Sequence, residues 1–203
     1  MPRQTVVSRY PKKIILPDGA SVELRIMTAA DKNVILEFSQ ALPQEDLLFL
    51  RVDLTQPEVV DEWIDNIESG FSTSLVVFDE DEHLVGYATV HRNPAPWTRR
   101  VGELRVNVSS SYRARGLGKN LTSEIFDVAQ SIGVKKLLAN MTPDQHGAQA
   151  AFRRLGFVPE ALLADYVEDR NGTCRDLVIM SYDIDGHTDR VDDLVRTKII
   201  MPS

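Results

Sequence analysis

Residues 101–127 read VGELRVNVSSSYRARGLGKNLTSEIFD. Over the first eight the pattern alternates, with Leu104, Val106 and Val108 on one face and Glu103, Arg105 and Asn107 on the other, the period of a half-buried strand. Residues 109–112 break that pattern, and Arg113-Ala114-Arg115-Gly116-Leu117-Gly118 follows. From Leu117 the apolar residues Leu121, Ile125, Phe126, Val128 and Ala129 recur at helical spacing. The two glycines therefore stand at a helix entrance, where amides lack intrahelical partners and the positive end of the macrodipole attracts anions.

A strand, a glycine-bearing turn and a helix predict a cradle for a diphosphate, because glycine lets main-chain amides approach a phosphate closely. The Walker loop would need Gly at Arg113 and Ser or Thr at Asn120, and the dinucleotide fingerprint would need a small residue at Leu121. Neither pattern is met.

Arg113, Gly116 and Gly118 do match the acetyl-CoA loop of the GNAT N-acetyltransferases, and the stretch resembles it. Gln145-His146-Gly147-Ala148 and Ala151-Phe152-Arg153-Arg154-Leu155-Gly156-Phe157 resemble that family's later helix and its terminal Leu-Gly-Phe, in the same order and spacing. The Pro17-Asp18-Gly19 turn and Thr28-Ala29-Ala30-Asp31 are similar to the opening of bacterial protein-lysine acetyltransferase catalytic domains.

The resemblance implies an α+β GNAT fold, a central, mostly antiparallel mixed sheet flanked by helices, spanning residues 12–184. It implies acetyl-CoA as co-substrate and acetyl transfer to a primary amine, with a protein lysine favoured over a small amine or amino acid, or over a non-catalytic acetyl-CoA sensor. The diphosphate would rest on the main chain of Arg113, Ala114, Arg115, Gly116, Leu117, Gly118 and Lys119, with the arginine side chains adding charge. The pantetheine would pair with the strand edge at Val106 and Val108. Gln145 stands where the family often has an Asn that touches CoA. Residues 47–51, beyond the first helix, would form a specificity loop or pack in the core.

Lysine has a pKa of about 10.4, so its amine must lose a proton before attack, and the resemblance implies Glu103 as general base, ten residues before Arg113 on the central strand, where protein-lysine acetyltransferases of the resembled kind place theirs. The alternative for Glu103 is a strand carboxylate paired with a neighbour, and His91 is a second candidate base. Where many members carry a Tyr acid this chain has Phe152, which cannot donate a proton; Tyr166 or solvent would serve instead.

Composition narrows the partners. The chain has 203 residues, 43% hydrophobic and 26% charged, which fits one domain with a core of its own. A net charge of −7 argues against nucleic acid, whose binding needs clustered Lys and Arg, and tolerates a cationic acceptor. Cys174 is the single cysteine, which leaves no disulfide framework and no cysteine metal site, and no metal is expected. No run approaches the ~20 apolar residues of a membrane span, and residues 1–13 lack an apolar leader core, so a cytoplasmic home without membrane contact is expected. A homodimer is compatible with these features. Residues 1–11 read as a loosely held arm and 185–203 as a tail or short helix.

Along the chain, hairpin strands are expected around the Pro17-Asp18-Gly19 turn, then a helix from Thr28 and a second from a Thr55-x-x-Glu58 capping box, closed by Gly70. Strands at 74–78, 84–91 and 135–141 follow. A helix capped by Thr142 with Pro143 at its first position comes next, then a hairpin around Asn171-Gly172.

Overall fold

Apolar alternation along the middle strands builds a sheet covered on both faces. The computed structural model describes residues 8–47, 52–169 and 171–184. Among them eight strands form one sheet: β1 (Lys12–Ile15), β2 (Ser21–Ile26), β3 (Ser72–Phe78), β4 (Leu84–Arg92), β5 (Val101–Val108), β6 (Lys136–Met141), β7 (Val158–Glu168) and β8 (Cys174–Asp183). Their order is β1-β2-β3-β4-β5-β6-β8-β7, and every pairing is antiparallel except β5 with β6. A parallel pair needs a crossover, and α4 (Leu117–Ser131) provides it.

Helices α1 (Lys32–Gln40) and α3 (Pro57–Glu68) bury Ile35, Phe38, Val60, Trp63 and Ile64 with Val76 and Tyr87 on one face of the sheet. The short α2 (Gln44–Leu47) lies between them in sequence and adds Leu47 to the same cluster. On the other face α4 buries Leu117, Leu121, Ile125, Val128 and Ala129 against Leu75, Val77, Ala88, Val90 and Leu104. Helix α5 (His146–Arg154) joins that cluster through Ala148 and Phe152. The α+β architecture expected from the sequence is present.

The first helix start keeps its expected capping pair, Thr28 with Asp31, and the next two differ because a side chain serves the backbone elsewhere. A single 3-10 turn (Ala29–Asp31) precedes α1. Buried Asp31 accepts the Thr28 N–H at 2.8 Å and the Arg25 guanidinium. Thr55 does not cap α3: its hydroxyl and N–H both donate to Asp53 Oδ1, and Gln56 is the cap. Thr142 does not cap α5 either. Its N–H donates to Gln145 Oε1 at 3.0 Å, and Gln145 becomes the cap, so the helix begins at His146.

The arm is not loose where it is described. Arg9 pairs with Asp127 at 3.2 Å, while the Tyr10 hydroxyl at 3.1 Å and Lys12 Nζ both donate to Glu124, tying residues 9–12 to α4. Residues 1–7, the end of the expected specificity loop at 48–51, and the tail at 185–203 lie outside the described residues. Among the described residues, no helix is long and apolar enough to cross a membrane.

Candidate active site

The register between β4 and β5 decides what each residue of β5 can do. Ser109 donates its N–H to the Val85 carbonyl at 2.9 Å, which makes this a hydrogen-bonded pair. Hydrogen-bonded and non-hydrogen-bonded pairs alternate in an antiparallel ladder, so residues 103, 105 and 107 also aim both main-chain groups at β4. Residues 104, 106 and 108 aim theirs the other way, toward β6. The parallel β5–β6 register runs only from Val101↔Lys136 through Glu103↔Leu138, and β6 continues with β8 as far as Met141. The two strands splay past Glu103, and the main-chain groups of Val106 and Val108 face the gap. An open strand edge of this kind is where an extended ligand pairs with main chain, although the Val108 carbonyl already accepts from Arg113 Nε.

At the end of that gap the chain turns into α4. Ala114 (φ 58°) and Gly116 (φ 87°) are both left-handed and one residue apart, and alternation of this kind turns successive amides into an anion-binding concavity. The α4 ladder begins past Lys119, with Asn120 N–H donating to the Gly116 carbonyl at 3.1 Å, so the amides of Leu117, Gly118 and Lys119 precede it. Leu117 contributes only its amide, because its side chain is fully buried. A Cβ on Gly118 would meet only Val108 Cγ2, at 3.8 Å. That space is open to a ligand, and the cradle fits the diphosphate of a CoA molecule.

The two arginines of the loop are partnered. Arg113 donates Nε to the Val108 carbonyl at 3.2 Å and bonds Asp46. Arg115 bonds Asp18 and lies over the Tyr112 ring, 4.3 Å from its centroid. Hydrogen bonding from Arg115 and from the Ala20 N–H holds the Asp18 carboxyl below the usual range. The turn between β1 and β2 is therefore pinned to the cradle, and both cations reach a phosphate only by sharing or leaving a carboxylate. Gln145 has its Oε1 engaged at the start of α5, as described above.

The odd residues of β5 carry their side chains to the α1–α3 face. There a cleft of about 490 Å³ is lined by Trp63, Tyr87, Ser72, His91, Glu103 and Arg105, among others. Glu103 accepts from Arg105 at 2.7 Å, and its side chain is 19% exposed. Its register partner on β4 is His91, whose Nδ1 is 2.7 Å from Ser72 Oγ. Burial pushes the Tyr87 phenol above its ordinary value, against the opposing pull of its Asn107 hydrogen bond and of Arg105. The Trp63 indole donates to buried Ser74 at 3.2 Å, fixing one wall.

Glu103 and His91, which the sequence singled out separately, thus share one cleft. Arg105 was missed as their companion, though its spacing of two from Glu103 on a strand was the signal. Trp63 and Ser72 carried no such signal, since only the folded sheet brings them in. Tyr166 is exposed on β7, within an irregularity of its register, and does not line the cleft. Phe152 packs edge-on against Phe157, ring centroids 4.9 Å apart, as part of the core.

Comparison with known proteins gives the family and the fold. The family model of the acetyltransferase (GNAT) family matches residues 40–157. No curated protein matches the chain in sequence. A ribosomal-protein-alanine N-acetyltransferase of Brucella melitensis is 25% identical, with a TM-score of 0.67 over 79% of this chain and 98% of its own. The structure of yncA from Salmonella typhimurium with its cofactor acetyl-CoA is 22% identical, TM-score 0.70, covering 82% of this chain and 96% of its own. A spermidine N-acetyltransferase of Vibrio cholerae, in complex with CoA and spermine, is 17% identical, TM-score 0.68, covering 81% and 96%. With the family model matched across the strand, the loop and both helices that build the site, the chain belongs to the acetyltransferase (GNAT) family and is an acyltransferase with acetyl-CoA as its co-substrate.

Proposed function

We infer that this acyltransferase acetylates a primary amine on a protein, a lysine side chain being the favoured acceptor, with Glu103 as general base. The observation that carries the reading is the division of labour on β5. The main-chain groups of Val106 and Val108 face the splay and the side chains of Glu103 and Arg105 face the cleft, so Glu103 stands three residues before Val106, on the strand whose edge would hold the thioester. Acetyl-CoA supplies the acyl group, and the chain's own residues do the rest.

The main chain of residues 113–119 binds the diphosphate, and Val106 and Val108 align the arm that carries the thioester. Glu103 draws in the cationic amine and takes its proton, directly or through a water, while Arg105 holds the carboxylate in one orientation. Trp63 and Tyr87 form an apolar wall suited to the methylene stem of a lysine. Phe152 packs against the core and supplies no proton, and a tyrosine acid is not required, because a thiol with a pKa of about 8.5 leaves readily as thiolate.

A second acceptor is favoured by one observation. The Brucella melitensis relative is named for ribosomal-protein alanine, which points to the α-amine of a protein N-terminus. Thiol release with three sets of acceptors separates these readings: lysine peptides with blocked N-termini, lysine-free peptides with open N-termini, and spermidine. Turnover confined to the first set is expected. Turnover only of spermidine would overturn the protein acceptor. Glu103→Gln should lower kcat/KM by about a hundredfold and remove the acidic limb of its pH profile; an unchanged profile retires Glu103 as base.

A further inference from the structure

Trp97 is 90% exposed. It sits on the single 3-10 turn Pro96–Thr98 that joins β4 to β5, between Pro94 and Thr98, which both line the cleft of Glu103. The indole itself is not among the lining residues and stands outside the cavity. This is not a floppy display. Asn93 Oδ1 accepts the Ala95 N–H at 2.8 Å, the Ala95 carbonyl accepts both the N–H and the hydroxyl of Thr98, and the Pro96 carbonyl accepts from Arg99 Nη1 at 3.1 Å. Two prolines fix φ at their positions.

Two further exposed apolar side chains share this end of the molecule. Val52, 42% exposed, lines the cleft, and Phe71, 37% exposed, precedes Ser72 and accepts the N–H of Arg92, another lining residue. Exposed Arg99 and Arg100 follow Trp97 after one residue, Thr98. On a chain of net charge −7 this is a local reversal of sign.

We propose that the 93–100 turn is the docking platform for a polypeptide acceptor, with Trp97 stacking on the chain beside the acetylated residue and Arg99 and Arg100 selecting an acidic residue near it. An amine small enough to fit wholly inside the cleft does not need an indole held outside it. A polypeptide entering the same cleft has to leave it across this rim, where a rigid aromatic offers contact area at little conformational cost. Charge complementarity names the partner's chemistry: an acidic stretch flanking the acceptor, not a basic one. The proposal rests on the protein-amine reading above and deepens it.

The test uses the full chain with blocked lysine peptides that carry either Asp-rich or Lys-rich flanks, and with n-butylamine as the small acceptor. Trp97→Ala should raise the peptide KM about tenfold or more, leave kcat near wild type, and leave n-butylamine kinetics unchanged. Trp97→Phe should recover most of the loss. Arg99→Glu/Arg100→Glu should reverse the preference between the two flanks, and the effect should weaken with salt.

Fluorescence gives an independent reading. The chain has two tryptophans, and Trp63 is buried, so acrylamide quenching reports on Trp97. Asp-flanked peptide should protect it, and n-butylamine should not. A wild type that acetylates peptides while Trp97→Ala matches it in KM overturns the platform and spares the acceptor reading. A wild type that acetylates n-butylamine and no peptide overturns both.

Discussion

Gly116 and Gly118 look alike in the sequence and differ in what the structure asks of them. At Gly116 the backbone is left-handed, φ 87°, and a Cβ would meet Pro17 Cδ at 3.2 Å and Cγ at 3.3 Å. An alanine there faces about 1–2 kcal/mol of backbone strain, with the crowding against Pro17 added. At two to four degrees per kcal/mol for a chain of this size, Gly116→Ala should lower the melting temperature by roughly 2–8 °C. Gly118 has no such φ, and its Cβ would make ordinary contact with Val108 Cγ2 at 3.8 Å.

Gly118→Val should therefore leave the melting temperature within about 3 °C of wild type, a gain or loss of under about 1 kcal/mol at a helical position. Its branched side chain would instead occupy the approach to the amides. Losing one or two charge-assisted hydrogen bonds, each worth about 1.5–3 kcal/mol, should weaken acetyl-CoA binding by at least about tenfold. Calorimetric titration with acetyl-CoA, beside a thermal melt of each variant, separates the two effects. Wild-type affinity in Gly118→Val would refute the cradle, and an unshifted melt in Gly116→Ala would refute the left-handed turn.

Two stability predictions concern the face that carries the cleft. The Asp31 carboxyl lies below its ordinary value: burial raises it, but the Arg25 guanidinium and the Thr28 N–H outweigh that. A depressed carboxyl contributes stability that is present above the ordinary carboxylate range, near pH 4, and is lost as pH falls through the folded value. Asp31→Asn should cost about 2 kcal/mol at pH 7 and flatten the loss of urea stability below pH 4, and an equally steep loss in the variant would contradict the assignment. Ser74 accepts from the Trp63 indole and shares a 2.8 Å hydrogen bond with Thr89, all three being buried. Ser74→Ala should cost about 1–3 kcal/mol in denaturant titration, and a change under about 0.3 kcal/mol would show that water replaces the hydroxyl.

What the sequence made legible is what local spacing encodes. The alternation of 101–108, the glycine pair and the helical period from Leu117 lie within one continuous stretch, and together they specify strand, cradle and helix without any distant partner. Distant partners were not legible. Arg113 and Arg115 read as free phosphate ligands, yet they find Asp46 and Asp18 across 67 and 97 residues. Thr55 and Thr142 read as helix caps because the residues after them suited a first turn, yet Thr55 turns back to Asp53, and Thr142 takes only the back-bond from Gln145 while the helix itself begins at His146. Trp63, Ser72 and His91 meet Glu103 only through the registers of three strands and the packing of α3.

The parity of β5 explains why so short a stretch carries so much of the site. One strand has two faces for side chains and two edges for main chain, and alternation ties each face to one edge. Val106 and Val108 send side chains to the α4 side and main-chain groups to the splay, while Glu103 and Arg105 send side chains to the cleft and main-chain groups to β4. A slip of one residue would exchange all four assignments at once, placing valines in the cleft and turning Glu103 toward the core. The buried Leu104 on one side and the buried Tyr87 on the other oppose that slip, so the packing that stabilises the sheet also holds Glu103 on the cleft side and the open strand edge toward the splay.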